Sequence, residues 1–413
     1  MFEVFFRRNN FDLLYQALRW QDAVAAAFEK RLSRNADSIF DQLIRKKLAL
    51  GDERFFHFES ARQALASIFQ NVTSDRKEVL VASFTCEVVP AYIIKSGLKP
   101  VFYPCSPLKR IDYDDVLNRI NANTLAVVVQ HSFGIKEDIR DLVSICKARG
   151  IIVIEDKALC FASGGAGSSE LQGDFAFYSF EASKTVSCRM GGLLVFNRNS
   201  ECRVNLQQPK EMPWWRQKVS DLRTFVAVVL YANDQRVCLY LRRLCVLTGI
   251  LGRSINREDV DSRPVGPAYQ LTRYQKKLII LQLIRISRLR ATAAKNVRFW
   301  RKTLGSLIGA EYMSSECFPV RLPIKICGAK DLRSQLRLNG MLDQHWFTAG
   351  VGVDGFDGLK VGFDPEGFRE NLKEAGDLVN LPTIKDLPRR HMATLSKVIL
   401  AHAQKQERSV NNG

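Results

Sequence analysis

Long apolar runs are missing from this 413-residue chain. The most apolar stretch, FVAVVLYANDQRVCLYLRRLCVLTGIL, is broken by Asn233, Asp234, Gln235, Arg236 and the pair Arg242, Arg243, short of the roughly 18 to 20 residues a spanning helix needs. A transmembrane span is therefore excluded, although a basic amphipathic helix lying on a membrane surface stays open. CxxC pairs are missing too. The ten cysteines, Cys86, Cys105, Cys146, Cys160 and Cys188 among them, lie scattered inside apolar patterns, which excludes a disulfide framework or zinc site and implies reduced core thiols. The opening stretch MFEVFFRRNNFDLLYQALRW carries charges and no small-residue cleavage site, so a mature cytoplasmic start is expected. Acidic residues are absent from 262 to 310, a stretch with eleven Lys and Arg. No helix-turn-helix, RRM or zinc pattern accompanies that charge, which argues against nucleic acid. There are no repeats, and the only biased segment is the polar tail from Lys405.

What is present is a globular composition, 46% apolar and 25% charged, with a net charge of +18. Such a balance speaks to anionic partners rather than to fold. From Glu78 to Asn197 short apolar runs alternate with amphipathic ones, the sign of an α/β domain whose parallel sheet is covered by helices. Strands are predicted at 79–84, 100–103, 125–130, 151–156, 175–180 and 193–197. Ile139, Leu142, Val143 and Cys146 fall at helical spacing between two of them. Residues 270–305 read as one long helical pattern. The expected organisation is an N-terminal helical segment (1–50), a large α/β domain (51–260) with a basic, apolar insertion at about 210–257, and a smaller C-terminal α+β domain (261–413) entered through the long helix.

In open α/β sheets ligands collect at the carboxyl ends of the strands. IIVIED ends in Glu155 and Asp156, FAFYSF is followed by Lys184, and Ser60 stands ahead of the amphipathic helix in HFESARQALASIF. A serine cap with free helical amides behind it is an anion site. An acid, a lysine and a phosphate-ready helix start are what pyridoxal phosphate requires: a Schiff-base amine, a carboxylate for the pyridine nitrogen and amides for the phosphate. Each residue also has a plain reading. Most lysines are solvated, a lone Asp often caps a strand, Cys86 fits a core thiol, and His131 suits a structural role as well as a cofactor contact.

The pieces SARQAL, VLVASFTCEVV, SGLKPVFY, VVVQHSFG, VIEDKA, GDFAFYSFEASK with its later MGG, and LVNLPT occur in an order and spacing that resembles the DegT/DnrJ/EryC1/StrS family of sugar aminotransferases, of the fold-type I pyridoxal-phosphate class. The resemblance covers about 57 to 385. It implies a three-layer large domain with a mostly parallel sheet, plus a smaller α+β domain. By position it implies that Lys184 is the Schiff-base lysine and proton carrier and that Asp156 pairs with the pyridine nitrogen. Ser179 would bind the phosphate together with Ser60 and the amides of Ala61 and Arg62, and Cys86 would take the place over the ring where many relatives carry an aromatic. Leu159 stands where relatives have His or Gln, Lys157 directly follows the acid, and an asparagine that relatives lend from a second subunit is not evident near 268–272. Relatives with histidine at the lysine position act as dehydratases, which Lys184 argues against. The implied activity is transfer of an amino group, from L-glutamate, to a keto sugar nucleotide for surface glycan synthesis, by a cytoplasmic homodimer. The alternatives are a catalytically altered scaffold held at the inner face of a membrane by the basic insertion, and a lyase acting on an amino acid.

Overall fold

The computed structural model describes residues 17–411 apart from 30–34, 107, 109–110, 162–170, 203, 233–235, 252–259, 262–263, 310–311, 313–318, 342–346 and 353–354. In chain order the elements are helices α1 (Trp20–Phe28) and α2 (Ala36–Leu48), strand β1 (Arg54–Phe58), α3 (Ala61–Gln70), β2 (Glu78–Ala82), α4 (Val88–Lys95), β3 (Lys99–Tyr103), α5 (Tyr113–Leu117), β4 (Thr124–Gln130), α6 (Arg140–Ala148), β5 (Ile152–Asp156), β6 (Phe175–Ser179) and β7 (Gly192–Phe196). There follow α7 (Trp214–Tyr231), α8 (Arg236–Leu247), α9 (Arg273–Ile284), α10 (Ile286–Leu304), β8 (Arg321–Lys325), α11 (Ala329–Leu338), α12 (Arg369–Gly376), β9 (Leu378–Pro382) and α13 (Arg389–Asn411).

Seven strands form one sheet in the order β1-β7-β6-β5-β4-β2-β3. The pairs from β3 across to β6 are parallel, whereas β7 runs antiparallel to both β6 and β1. The strands are apolar throughout because both faces are covered. Val79, Val81, Val128 and Ile154 meet the α3 and α4 side, while Leu80, Val127, Val129 and Val153 meet Leu142 and Cys146 of α6. At the β6–β7 end the second face is covered by α1, α2 and α9, through Ala23, Phe40, Ile44, Leu278 and Ile279 against Tyr178, Leu193 and Val195. This is the three-layer α/β arrangement with a mostly parallel sheet. A second, two-stranded antiparallel sheet of β8 and β9 carries the C-terminal core around Trp300, Leu322, Leu336, Leu381 and Ile399.

Two elements differ from the sequence-based expectation. RFFHF (β1) is an edge strand that the pattern did not mark, since its apolar run merges with the helix that follows. The helical pattern 270–305 is two helices, interrupted where Arg285 takes φ −98° and ψ 8°. The Arg285 guanidinium there grips the buried Asp22 at 2.5 and 2.7 Å, so the break leaves α9 in the sheet-side core and sends α10 to the C-terminal core.

Candidate active site

At the carboxyl ends of the parallel strands lies a cavity of about 230 Å³. Gln130 ends β4, Asp156 ends β5 and Ser179 ends β6, and all three line it. The loop after β2 brings Cys86 in, tied down by a two-residue bridge: the Thr85 amide donates to Gly350 O at 3.1 Å and the Gly352 amide to Thr85 O at 2.9 Å. All seven residues singled out from sequence, Ser60, Ala61, Arg62, Cys86, Asp156, Ser179 and Lys184, border this one space.

The start of α3 forms one wall. Ser60 is extended (φ −154°, ψ 152°), and its hydroxyl accepts from the Gln63 amide at 3.4 Å. The first amides of a helix have no intrahelical acceptor, so those of Ala61 and Arg62 are suited to an anion. The close seat of this helix depends on Gly192: a Cβ there would lie 2.5 Å from both N and Cα of Ala61 and 2.6 Å from the Ser60 carbonyl carbon. The glycine pair after the lysine therefore lets the helix end sit directly on the sheet.

Lys184 is on the loop between β6 and β7. Two glutamines of α9 fix that loop. Gln282 accepts from the Ser187 amide (3.0 Å) and donates to its carbonyl (2.7 Å), and Gln275 donates to Met190 O at 3.0 Å. Lys184 borders the cavity, where burial lowers its pKa from the usual lysine value, partly opposed by Glu181, Cys86 and Asp156. Asp156 shifts the other way. Burial raises its carboxyl to about 6, against the pull of the Ala158 amide, which donates to Oδ1 at 2.9 Å, and of the Lys184 charge. Burial pushes the Cys86 thiol far above its ordinary range, aided by neighbouring Glu87, so it stays protonated and serves as a small polarizable surface.

Behind Asp156 sits a buried charged cluster. Glu155 Oε2 meets His131 Nε2 at 2.8 Å and Lys157 Nζ at 3.0 Å, while Oε1 accepts from the amides of Gln172 and Gly173 at 2.7 and 3.0 Å. Burial alone would raise Glu155, yet Lys157 and His131 outweigh it and hold the carboxyl at about 2. His131 Nδ1 accepts from the Glu137 amide at 2.9 Å, so Nε2 carries the proton donated to Glu155. His131 is thus a satisfied structural histidine, and Lys157 points into the same cluster. Leu159 does border the cavity, as an apolar surface.

Sequence reasoning missed Gln130, Ser183, Arg321 and Phe347, which also line the space. Arg321 comes from β8 in the C-terminal sheet and is fully buried. Its signal was an arginine within the apolar run FPVRLPI. Its charge also contributes to lowering the Lys184 pKa. Among the described residues no cluster of His, Cys, Asp and Glu is arranged to hold a metal ion.

A family model described as the DegT/DnrJ/EryC1/StrS aminotransferase family matches residues 46–208. GDP-perosamine synthase of Vibrio cholerae is 32% identical over 122 residues, 29% of this chain and 33% of that protein. The pleiotropic regulatory protein of Geobacillus stearothermophilus is 31% identical over 134 residues, 31% of this chain and 36% of that one. The chain thus spans about a third of the length of these curated relatives. Among solved structures, Helicobacter pylori PseC, an aminotransferase involved in the biosynthesis of pseudoaminic acid, superposes with TM-score 0.66 at 16% identity, over 96% of this chain and 100% of that one, a likeness of fold. The matched segment holds the start of α3, Asp156, Ser179 and Lys184, so the part of the chain that is similar to the DegT/DnrJ/EryC1/StrS aminotransferase family is the part that carries this cavity, and the architecture is that of the fold-type I structures.

Proposed function

We propose that this chain is a pyridoxal-phosphate-dependent aminotransferase that moves an amino group from L-glutamate to a keto group on a nucleotide-activated sugar, working as a homodimer in the synthesis of a surface glycan. The observation that carries this reading is the meeting, in one cavity, of a desolvated lysine, a buried carboxylate and a helix N-terminus.

The donor set fits the cofactor. Lys184 Nζ would hold it at the aldehyde, Asp156 at the pyridine nitrogen, and Ser179, Ser60 and the amides of Ala61 and Arg62 at the phosphate. Supporting this cradle, Gly192 leaves no Cβ between the sheet and the helix start. Cys86 and Leu159 would border the ring with apolar, polarizable surface in place of an aromatic. When bound, pyridoxal phosphate supplies an electron sink that stabilises a carbon from which a proton has been removed, and it stores the amino group between two half-reactions.

The chain's own residues do the rest. Lys184 sheds its proton readily because burial penalises the ammonium, so its free amine would serve as the base that takes the proton from the donor's α-carbon. Asp156, whose carboxyl alone resists ionisation, would keep its negative charge when a protonated ring nitrogen lies against it. Arg321 offers a buried guanidinium to the anionic end of a substrate. The assignment of keto sugar nucleotide and glutamate draws support from the family and from relatives such as GDP-perosamine synthase.

The test is a two-step assay. Protein loaded with pyridoxal phosphate is mixed with L-glutamate, and 2-oxoglutarate is measured before and after a 4-keto nucleotide sugar is added. One equivalent of 2-oxoglutarate without the sugar, and many with it, is the expected result. Release of none in either step would overturn the reading, and product formed from the amino acid alone over many turnovers would replace it with a lyase.

A further inference from the structure

The α7–α8 hairpin buries Ala227, Val228, Leu230 and Cys238 in the sheet-side core, yet leaves a second apolar face turned outward. A helix packed on a protein turns its apolar stripe inward. In α8 the apolar stripe, Val237, Tyr240, Leu241, Leu244 and Leu247, recurs at i, i+3, i+4, i+7 and i+10 and is exposed along its length, Val237 at 65% and Leu247 at 79%. Turned inward are Cys238 and Arg242, each 7% exposed. The Arg242 Nε donates to Leu230 O at 2.7 Å, a terminal nitrogen donates to Tyr231 O at 3.1 Å, and the guanidinium lies 4.5 Å from the Tyr231 ring centre. The carbonyl end of α7 is thus capped by an arginine, and this fixes α8 with its leucines outward. On α7 the exposed apolar residues are Trp214, at 76%, then Trp215, Val219 and Leu222.

Charge accompanies the stripe. Arg216, Lys218, Arg223 and Arg243 are exposed on the same hairpin. The one acidic residue in the two helices is Asp221, whose carboxylate accepts from the Thr272 hydroxyl at 2.5 Å. Neither helix is long and apolar enough to cross a membrane. Exposed tryptophans at a helix start, an outward leucine stripe and flanking cations are the composition of a helix lying in the headgroup layer.

We propose that the α7–α8 hairpin docks on the surface of a membrane containing anionic lipid, its leucines and tryptophans at the acyl boundary and its four cations against the phosphates. Charge complementarity selects this occupant. A two-fold contact with a second copy would set the four cations against the same four, with Asp221 alone to answer them, whereas interface cores are depleted of charge. A polyanionic strand would leave the leucine stripe in water. An anionic bilayer meets both the charge and the apolar face.

Vesicle sedimentation of the full chain tests this, with phosphatidylcholine vesicles and with vesicles that also contain phosphatidylglycerol. Three proteins are compared: the natural chain, the pair Leu241→Glu with Leu244→Glu, and Leu359→Glu, an exposed leucine outside the hairpin. The natural chain and Leu359→Glu are expected to pellet with the anionic vesicles only, and to be released by high salt. The double variant, with an unchanged far-UV circular dichroism spectrum, should lose at least tenfold in partitioning. Should that variant not fold, the natural chain still reports through a blue shift of tryptophan fluorescence on adding anionic vesicles. The proposal is overturned if the natural chain stays in solution with anionic vesicles and shows no blue shift. It is also overturned if the double variant pellets equally, or if it converts a dimer to a monomer by light scattering while the natural chain ignores vesicles, which would give the face to a second copy. None of these outcomes depends on amino-group transfer.

Discussion

Asp156 and Lys184 are each more costly to charge here than in water, and each lowers that cost for the other. The carboxyl titrates at about 6 in the folded chain against an ordinary 3.8. A carboxyl whose pKa is raised by folding holds its proton better when folded, so its contribution to stability is complete below about 3.8 and is lost as the pH rises through about 6. At about 1.4 kcal/mol per pH unit, that gap corresponds to roughly 3 kcal/mol. Cofactor-free Asp156→Asn should therefore be more stable than the natural chain at pH 8 by up to about 3 kcal/mol, and the two should converge near pH 4, as measured by urea unfolding at both values. An equal difference at both values would show that Asp156 is not desolvated. The seven residues chosen from sequence line the cavity because strand ends and a helix cap are local features that a sequence displays. Arg321 and Gln130 escaped, the first because it arrives from a separate sheet, the second because a Gln ending a buried strand looks like any polar stop.

At the scale of elements, the position of the phosphate-ready helix depends on a single missing methyl. Gly192→Ala would place a Cβ 2.5 Å from the Ala61 nitrogen, with backbone on both sides and no flexible side chain to yield. The start of α3 must then move, and affinity for pyridoxal phosphate, followed by fluorescence titration, should fall at least tenfold. Binding equal to the natural chain would separate the cofactor from this helix. Ser60→Ala should do less, costing about 1 kcal/mol of stability through the lost cap. The strands of the sheet were legible because each is apolar on both faces and bounded by turn residues. The edge strand β1 was not, since RFFHF runs almost directly into the α3 cap, and the break at Arg285 was not, since the cause is the carboxylate of Asp22, far away in sequence.

For the molecule as a whole, a net charge of +18 sets a long-range field that favours anionic ligands. Capture of the proposed nucleotide-activated sugar should weaken with ionic strength, seen as a KM that rises several-fold with salt while kcat stays level, because screening acts on encounter and less on the buried chemistry. A KM insensitive to salt would assign the charge elsewhere, and the exposed cations of the α7–α8 hairpin are where it would go. That hairpin was visible in sequence as a basic, apolar insertion, but the outward face of α8 was not, because the inward Arg242 and the outward leucines share one helical period. The measurement that tests the central claim most directly is borohydride reduction of the protein loaded with pyridoxal phosphate, followed by peptide mass analysis. The account predicts one cofactor mass fixed to the peptide containing Lys184 and none on that peptide in Lys184→Ala. Label spread over surface lysines with Lys184 unmodified would contradict it.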